Sequence, residues 1–194
     1  MITIIDYDTG NLLSVTNALD RLGAEYTLSG DPAEIATAGK LLLPGVGEAS
    51  NAMARLRDKG LVEVLQKATQ PVLGICLGMQ IMCSHSEEAD TECLGIFPNK
   101  VTRFDNSLGL NVPHMGWNSI DELSSSLFDG VEPGNYVYYV HSYYAEKNRY
   151  TIATSHYGLP FSGAIRRDNF YGCQFHPEKS WRMGEKILAN FLKL

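Results

Sequence analysis

The chain has 194 residues, 44% of them hydrophobic and 20% charged, the balance of a soluble globular protein with room for one sizeable core. Its formal net charge of -6 argues against general binding to nucleic-acid phosphates. No apolar run approaches the roughly 20 residues of a membrane-spanning helix, and residues 1–6 lack the basic flank of a signal peptide. The expectation is a single cytoplasmic domain over residues 1–194, binding neither nucleic acid nor membrane.

The first part alternates short apolar runs with helical spacing, the signature of strand-helix-strand units around a parallel sheet. Residues 2–7 read as a buried strand, 12–22 as a helix and 25–28 as a second strand. Asp31 and Pro32 open a short helix. Residues 40–43 form a third strand, 52–56 and 61–68 carry helical apolar spacing, and 71–75 form a fourth strand. Cys76 follows at its carboxyl end, where open α/β sheets bind ligands. Beyond about Ser86 the pattern changes to short strands between Asp, Asn, Gly and Pro clusters, at 100–104, 136–141, 151–155 and 161–165, and reads as an antiparallel meander. Residues 170–175 return as a strand, and 184–192 close the chain with an amphipathic helix. The fold class is α/β, a mixed sheet flanked by helices with an antiparallel, strand-rich second half.

Four cysteines, Cys76, Cys83, Cys93 and Cys173, form no C-x-x-C pair and no zinc spacing with the five histidines, so neither disulfides nor a metal are expected. Cys83 and Cys173 lie in apolar patterns and read as small core residues; Cys93 falls in a polar loop. Cys76 differs. It stands between Gly74 and Gly78 where a strand runs into a helix, the spacing of the G-x-S-x-G elbow with sulfur in place of oxygen. Such a turn exposes the central side chain, small neighbours let the backbone pass closely, and the positive end of the helix favours the reactive thiolate. Taken alone, the pattern fits a buried structural cysteine equally well.

A cysteine nucleophile needs a base, and the base needs an orienting group. His176-Pro177-Glu178 offers both: at the end of an extended strand, residues two apart share a side, so the Glu178 carboxylate reaches the His176 imidazole. An oxyanion needs N–H donors. The turn Pro44-Gly45-Val46-Gly47 follows the third strand beside the elbow, and Leu77 is the residue after the nucleophile, so amides from both are candidates.

With these residues in hand, Leu73-Gly74-Ile75-Cys76-Leu77-Gly78-Met79-Gln80 and Gln174-Phe175-His176-Pro177-Glu178 resemble the class I glutamine amidotransferases, a flavodoxin-like fold. Pro44 to Gly47, Pro113-His114-Met115-Gly116-Trp117-Asn118, Val140-His141-Ser142-Tyr143 and the opening residues 6–11 narrow the resemblance to the glutaminase subunits of imidazole glycerol phosphate synthase, from end to end of the chain. The resemblance implies a Cys76, His176, Glu178 triad that hydrolyses L-glutamine through a glutamyl thioester, without a cofactor. It implies Gly47 and Leu77 at the oxyanion, and Gly45, Gln80, Ser142 and Tyr143 at the substrate. It further implies a (βα)8-barrel cyclase partner that receives the ammonia, facing Asn11, Met115, Trp117, Tyr138 and Lys179. Gln80 also reads as a plain polar residue in a first helical turn, and Trp117 as a core plug in a loop. Two positions depart from the family: Trp181, where a small residue is usual, and Cys173, where Val is common. Both bear on partner affinity rather than on the triad. The competing readings are a glutaminase serving a sugar amidotransferase or an anthranilate synthase, a Cys-His peptidase or esterase, and a non-catalytic regulatory module.

Overall fold

The computed structural model describes residues 1–8 and 12–194. In chain order it contains β1 (Ile2–Ile5), α1 (Leu12–Arg21), β2 (Tyr26–Ser29), α2 (Pro32–Thr37), β3 (Lys40–Gly45), α3 (Ala49–Asp58), α4 (Leu61–Gln66), β4 (Val72–Cys76), α5 (Leu77–Met82), β5 (His85–Ser86), β6 (Thr91–Glu92), β7 (Lys100–Arg103), β8 (His114–Ile120), β9 (Asn135–His141), β10 (Tyr143–Ala145), β11 (Thr151–Tyr157), β12 (Leu159–Arg167), β13 (Phe170–Cys173) and α6 (Trp181–Lys193). The main sheet has the order β11-β12-β13-β4-β3-β1-β2. Its five strands from β13 to β2 are parallel, with β12 and β11 added antiparallel at one edge.

The continuous apolar runs of β1, β3 and β4 follow from burial on both faces. Ile2, Ile4, Leu42, Leu73 and Ile75 pack with α1 and α6, whereas Ile5, Leu41, Leu43 and Val72 pack with α2, α3, α4 and α5. Alternation along each strand thus feeds two apolar layers. Asp31 caps α2 as its position before Pro32 suggests: its side chain accepts from the amides of Ala33 at 2.8 Å and Glu34 at 3.1 Å.

The second half is not a simple meander. β13 enters the main sheet parallel to β4, and β5 pairs parallel with β7 in a small sheet of order β10-β7-β5-β6. The block from Pro113 to Asn118, read as a loop, instead leads into β8, which pairs with β9 from His114 opposite His141 to Ile120 opposite Asn135. One face of β8 projects Met115 and Trp117 into solvent, so its sequence lacks the inward apolar alternation that marks a strand. Trp117 is no core plug: it remains 46% exposed. Cys93 is buried rather than set in a polar loop, packing in the layer that holds α3 and α5, and burial pushes its thiol up to about 11.

The tightest backbone approach in the sheet lies under the elbow. A Cβ on Gly78 would stand 1.8 Å from the Leu43 carbonyl oxygen, so α5 can seat on β3 only with glycine there. Gly78→Ala is therefore expected to cost at least ~1–3 kcal/mol of stability, the range for overpacking, because backbone rather than a side-chain tip must yield. A urea midpoint equal to that of the unaltered chain would contradict this.

Candidate active site

Cys76 ends β4 and immediately precedes α5, with φ 54° and ψ -110°. A non-glycine residue in this region stores about 1–3 kcal/mol of strain, and here the strain swings the side chain off the sheet toward a cavity of about 360 Å³. Gly45 pairs with Cys76 across β3 and β4. It does not line the cavity: a Cβ there would meet the Gly78 nitrogen and the Tyr7 hydroxyl, both at 2.8 Å, so Gly45 serves close packing beneath the elbow. Gly47, at φ +96°, Val46 and Leu77 do line the cavity.

His176 lines the same cavity, with Glu178 behind it, by a route other than the extended strand expected. β13 stops at Cys173, and His176 precedes a 3-10 turn, Pro177–Lys179, that folds Glu178 back onto it. The carboxylate Oε1 lies 2.7 Å from His176 Nδ1, with both side chains almost completely buried. The loop is fastened to the neighbouring hairpin. The His176 amide donates to the Tyr138 carbonyl at 2.8 Å, the Tyr138 amide to Ser180 Oγ at 2.9 Å, and Ser180 Oγ to the His176 carbonyl at 2.6 Å. With Nδ1 held by Glu178, Nε2 is buried without a hydrogen-bond partner among the described residues, and the Cys76 sulfur is the group that acts on the ring from the other side. Burial works against the imidazolium, but the Cys76 sulfur and then the Glu178 carboxylate outweigh it and raise His176 to about 10. The imidazole of His176 is thus held in its charged form beside the Cys76 sulfur.

The far wall is polar. Gln80 Nε2 donates to the Tyr143 carbonyl at 2.8 Å and to Gln174 Oε1 at 3.0 Å, so Gln80 is neither solvated nor a mere first-turn residue. Ser142 and Tyr143 line the cavity at the end of β9 and the start of β10. Of two further lining residues, Glu88 escaped the sequence reading and His141 was named within its motif but given no role. Glu88 comes from a 3-10 turn and is held by the Ala49 amide, which donates to its Oε2 at 2.8 Å; burial raises its carboxyl above the usual range. The Nδ1 of His141 lies 2.8 Å from the Tyr143 carbonyl, which can only accept, so Nδ1 carries the proton. Its Nε2 then accepts from His114 Nδ1 at 3.0 Å, and His114 Nε2 from Asn118 Nδ2 at 3.3 Å. Both rings are neutral: burial lowers His114 to about 4, and burial with His114 and His176 nearby lowers His141 to about 3.

Of the residues expected at a partner surface, Lys179 lines the cavity mouth. Trp117 packs edge-on against both Tyr138 and Trp181, with ring centroids 5.9 and 5.8 Å apart. Met115 is exposed on the same strand face as Trp117. Asn11 lies outside the described residues. Among the described residues no helix is long and apolar enough to cross a membrane, and no cluster of His, Cys, Asp or Glu could hold a metal ion.

A cysteine sulfur, a paired imidazole and a glycine turn around one cavity form the constellation of acyl transfer through sulfur. The family model for class-I glutamine amidotransferases matches residues 3–194. The chain belongs to the class-I glutamine amidotransferase family. This amidotransferase is 48% identical to the imidazole glycerol phosphate synthase subunit HisH of Bacteroides fragilis over 194 residues, covering 100% of the chain and 99% of that protein. It is 47% identical to the subunit of the same name from Shewanella oneidensis, covering 100% of the chain and 96% of that protein. Among solved structures, one described as a glutamine amidotransferase superposes with a TM-score of 0.77 at 17% identity, covering 100% of this chain and 98% of that one. The glutaminase domain of a Trypanosoma brucei CTPS superposes at 0.64 with 14% identity, covering 99% and 93%. These structures share the fold of the amidotransferase.

The neutral histidines give a pH expectation. An unfolded imidazole takes up its proton near 6.5, whereas folded His114 resists until about 4. The unfolded state therefore binds more protons between these values, and stability present above 6.5 is lost as pH falls. Urea denaturation across that window is expected to show a shallower pH slope in His114→Asn, by up to about 1.4 kcal/mol per pH unit for one proton. An unchanged slope would show that His114 titrates alike in both states.

Proposed function

We propose that the chain is the cytoplasmic glutaminase subunit of an imidazole glycerol phosphate synthase, acting as one domain over residues 1–194. It hydrolyses L-glutamine at Cys76 and passes the ammonia to a (βα)8-barrel cyclase for histidine biosynthesis. The observation that carries the reading is the alignment of Glu178, His176 and Cys76 over the cavity in a chain that matches HisH subunits along its whole length. The word subunit in those relatives' names supports a partner protein. Four free cysteines suit a reducing compartment.

The chemistry follows from the arrangement of these groups. The Cys76 thiolate adds to the side-chain amide carbon of glutamine, and the negative oxygen is received by the Gly47 and Leu77 amides. The imidazolium of His176 gives its Nε2 proton to the amide nitrogen, the C–N bond breaks, and ammonia leaves a glutamyl thioester. Neutral His176 then takes a proton from water, whose oxygen adds to the thioester carbon; the C–S bond breaks, and thiolate and imidazolium are restored. Glu178 holds the ring in its orientation throughout. Glu88 is the carboxylate across the cavity that pairs with the α-ammonium of glutamine, while Gln80, Ser142 and Tyr143 embrace the rest of the amino acid. Gly45 acts through packing. Ammonia must travel to the cyclase enclosed, because in water it becomes ammonium, which has no lone pair to attack with.

The cyclase docks on Met115, Trp117, Tyr138, Lys179 and Asn11, extended by Trp181. Exposed aromatics and Met are typical interface anchors. Trp181 is 80% exposed at φ +49°, a strained posture for a large side chain. Its burial by the partner would offset that strain.

Glutamine turnover should be low in the chain alone, rise severalfold with the cyclase and its nucleotide substrate, and vanish in Cys76→Ala without loss of cyclase binding. Turnover near the normal rate in that variant would refute the assignment. In calorimetry, Trp181→Ala is expected to weaken cyclase association by roughly 1–2 kcal/mol, the scale of an interface anchor. An unchanged Kd would remove Trp181 from the docking surface.

A further inference from the structure

Gln174 is fully buried, lies outside the triad, and ends in a carboxamide that an apolar side chain of the same shape could replace without desolvation cost. Its orientation can be deduced from one fixed acceptor. The Tyr143 carbonyl accepts from Gln80 Nε2 at 2.8 Å, and the second hydrogen of that amino group goes to Gln174 Oε1 at 3.0 Å. Gln174 must therefore turn its own amino group the other way, where Nε2 stands 3.8 Å from Cys76 Sγ. The main chain holds this geometry in place, since the Gln174 amide donates to the Gly163 carbonyl at 2.9 Å. On another side of the sulfur, the Val140 carbonyl lies 3.8 Å from Sγ. It can receive S–H from the thiol but offers nothing to a thiolate, whereas the Gln174 N–H favours the anion.

We propose that Gln174 is a positioning residue for the nucleophile: locked by Gln80, it directs an N–H at the Cys76 sulfur and stabilises the thiolate both before attack and as the leaving group when the thioester is hydrolysed. This deepens the glutaminase reading and rests on it. The sulfur carries its full negative charge at the start of acylation and regains it at the end of deacylation, and a charge-assisted N–H contributes most in those states. The relay also ties the sulfur to the substrate wall. The carbonyl that orients both glutamines belongs to Tyr143, so a shift of that strand end re-aims the donor at Cys76.

The test compares Gln174→Met, which keeps length and volume but has no donor, with Gln174→Glu, which keeps the acceptor for Gln80 and sets an oxygen against the sulfur. Cys76 alkylation by iodoacetamide is followed across pH in the full chain, together with glutamine turnover in the presence of cyclase. The titratable groups around Cys76 are His176 with Glu178 behind it, His141 and Tyr143 on the β9–β10 wall, Glu88 and Lys179 across the cavity, and Cys173 on β13; both variants retain them all. The other thiols are buried and pushed up by burial, so Cys76 dominates the reaction. The Met variant should move the alkylation profile upward by about one pH unit and lower kcat on the order of tenfold, the scale of a hydrogen bond to a charged group, with KM little changed. The Glu variant should move it further. If either folded variant keeps the normal profile, or raises KM alone, the proposal is overturned and Gln174 is a packing residue. Alkylation needs no glutamine, so failure of the glutaminase reading is separable: it would appear as absent glutamine turnover in the unaltered chain.

Discussion

The arrangement depends on one backbone constraint, the left-handed conformation of Cys76 between β4 and α5. It turns the chain within a single residue, so that α5 starts with Leu77 and leans on β3 at Gly78. That contact leaves no room for a Cβ beside the Leu43 carbonyl. Three consequences follow. The sulfur leaves the plane of the sheet for the cavity, the turn after β3 comes beside it with Val46 and Gly47, and Gln80 is placed one helical turn on, facing the end of β9. Strain at the junction is held by two packed apolar layers, in which β1, β3 and β4 are buried on both faces.

Around that junction the protein keeps three buried histidines in two opposite states. His176 faces a carboxylate and the Cys76 sulfur and is held charged. His141 faces a carbonyl and another imidazole and is held neutral, with His114 passing the same polarity out to Asn118. The Tyr143 carbonyl sets the direction of this chain and of the Gln80–Gln174 chain as well, because a carbonyl can only accept. A single imidazolium therefore stands near the sulfur. The hairpin that carries the exposed Trp117 also carries Tyr138, whose main chain clamps the His176 loop. A partner pressing on this hairpin would act on the base through two hydrogen bonds.

Much of this was legible in the sequence because it rests on local pattern. The apolar runs at residues 2–5, 41–43 and 72–75 have few alternatives to buried strands, and glycines on both sides of Cys76 announce a turn too tight for side chains. His176 and Glu178 were legible as a pair, but not their geometry: Pro177 opens a 3-10 turn rather than extending a strand, and adjacency in sequence serves either path. β8 was hidden because its burial is one-sided and its outward residues are Met115 and Trp117, which mimic core pattern in a loop. Glu88 could not be read at all. It reaches the cavity through a turn with Ala89 and Asp90 in left-handed conformations and is held by an amide 39 residues away in sequence. Gln174 was visible within its motif, yet its part becomes apparent only when Gln80 and the Tyr143 carbonyl stand beside it in space.

On the proposed mechanism Cys76, alone among four thiols, forms a covalent bond to the glutamyl group. The most direct test is rapid acid quenching during glutamine turnover with the cyclase present, followed by peptide mass spectrometry. The account predicts a glutamyl adduct on the Cys76 peptide, absent from Cys83, Cys93 and Cys173. Its accumulation should rise when hydrolysis of the thioester is slowed at low pH, where the base that activates water is protonated. Glutamine turnover with no adduct on Cys76, or with the adduct on another residue, would contradict it.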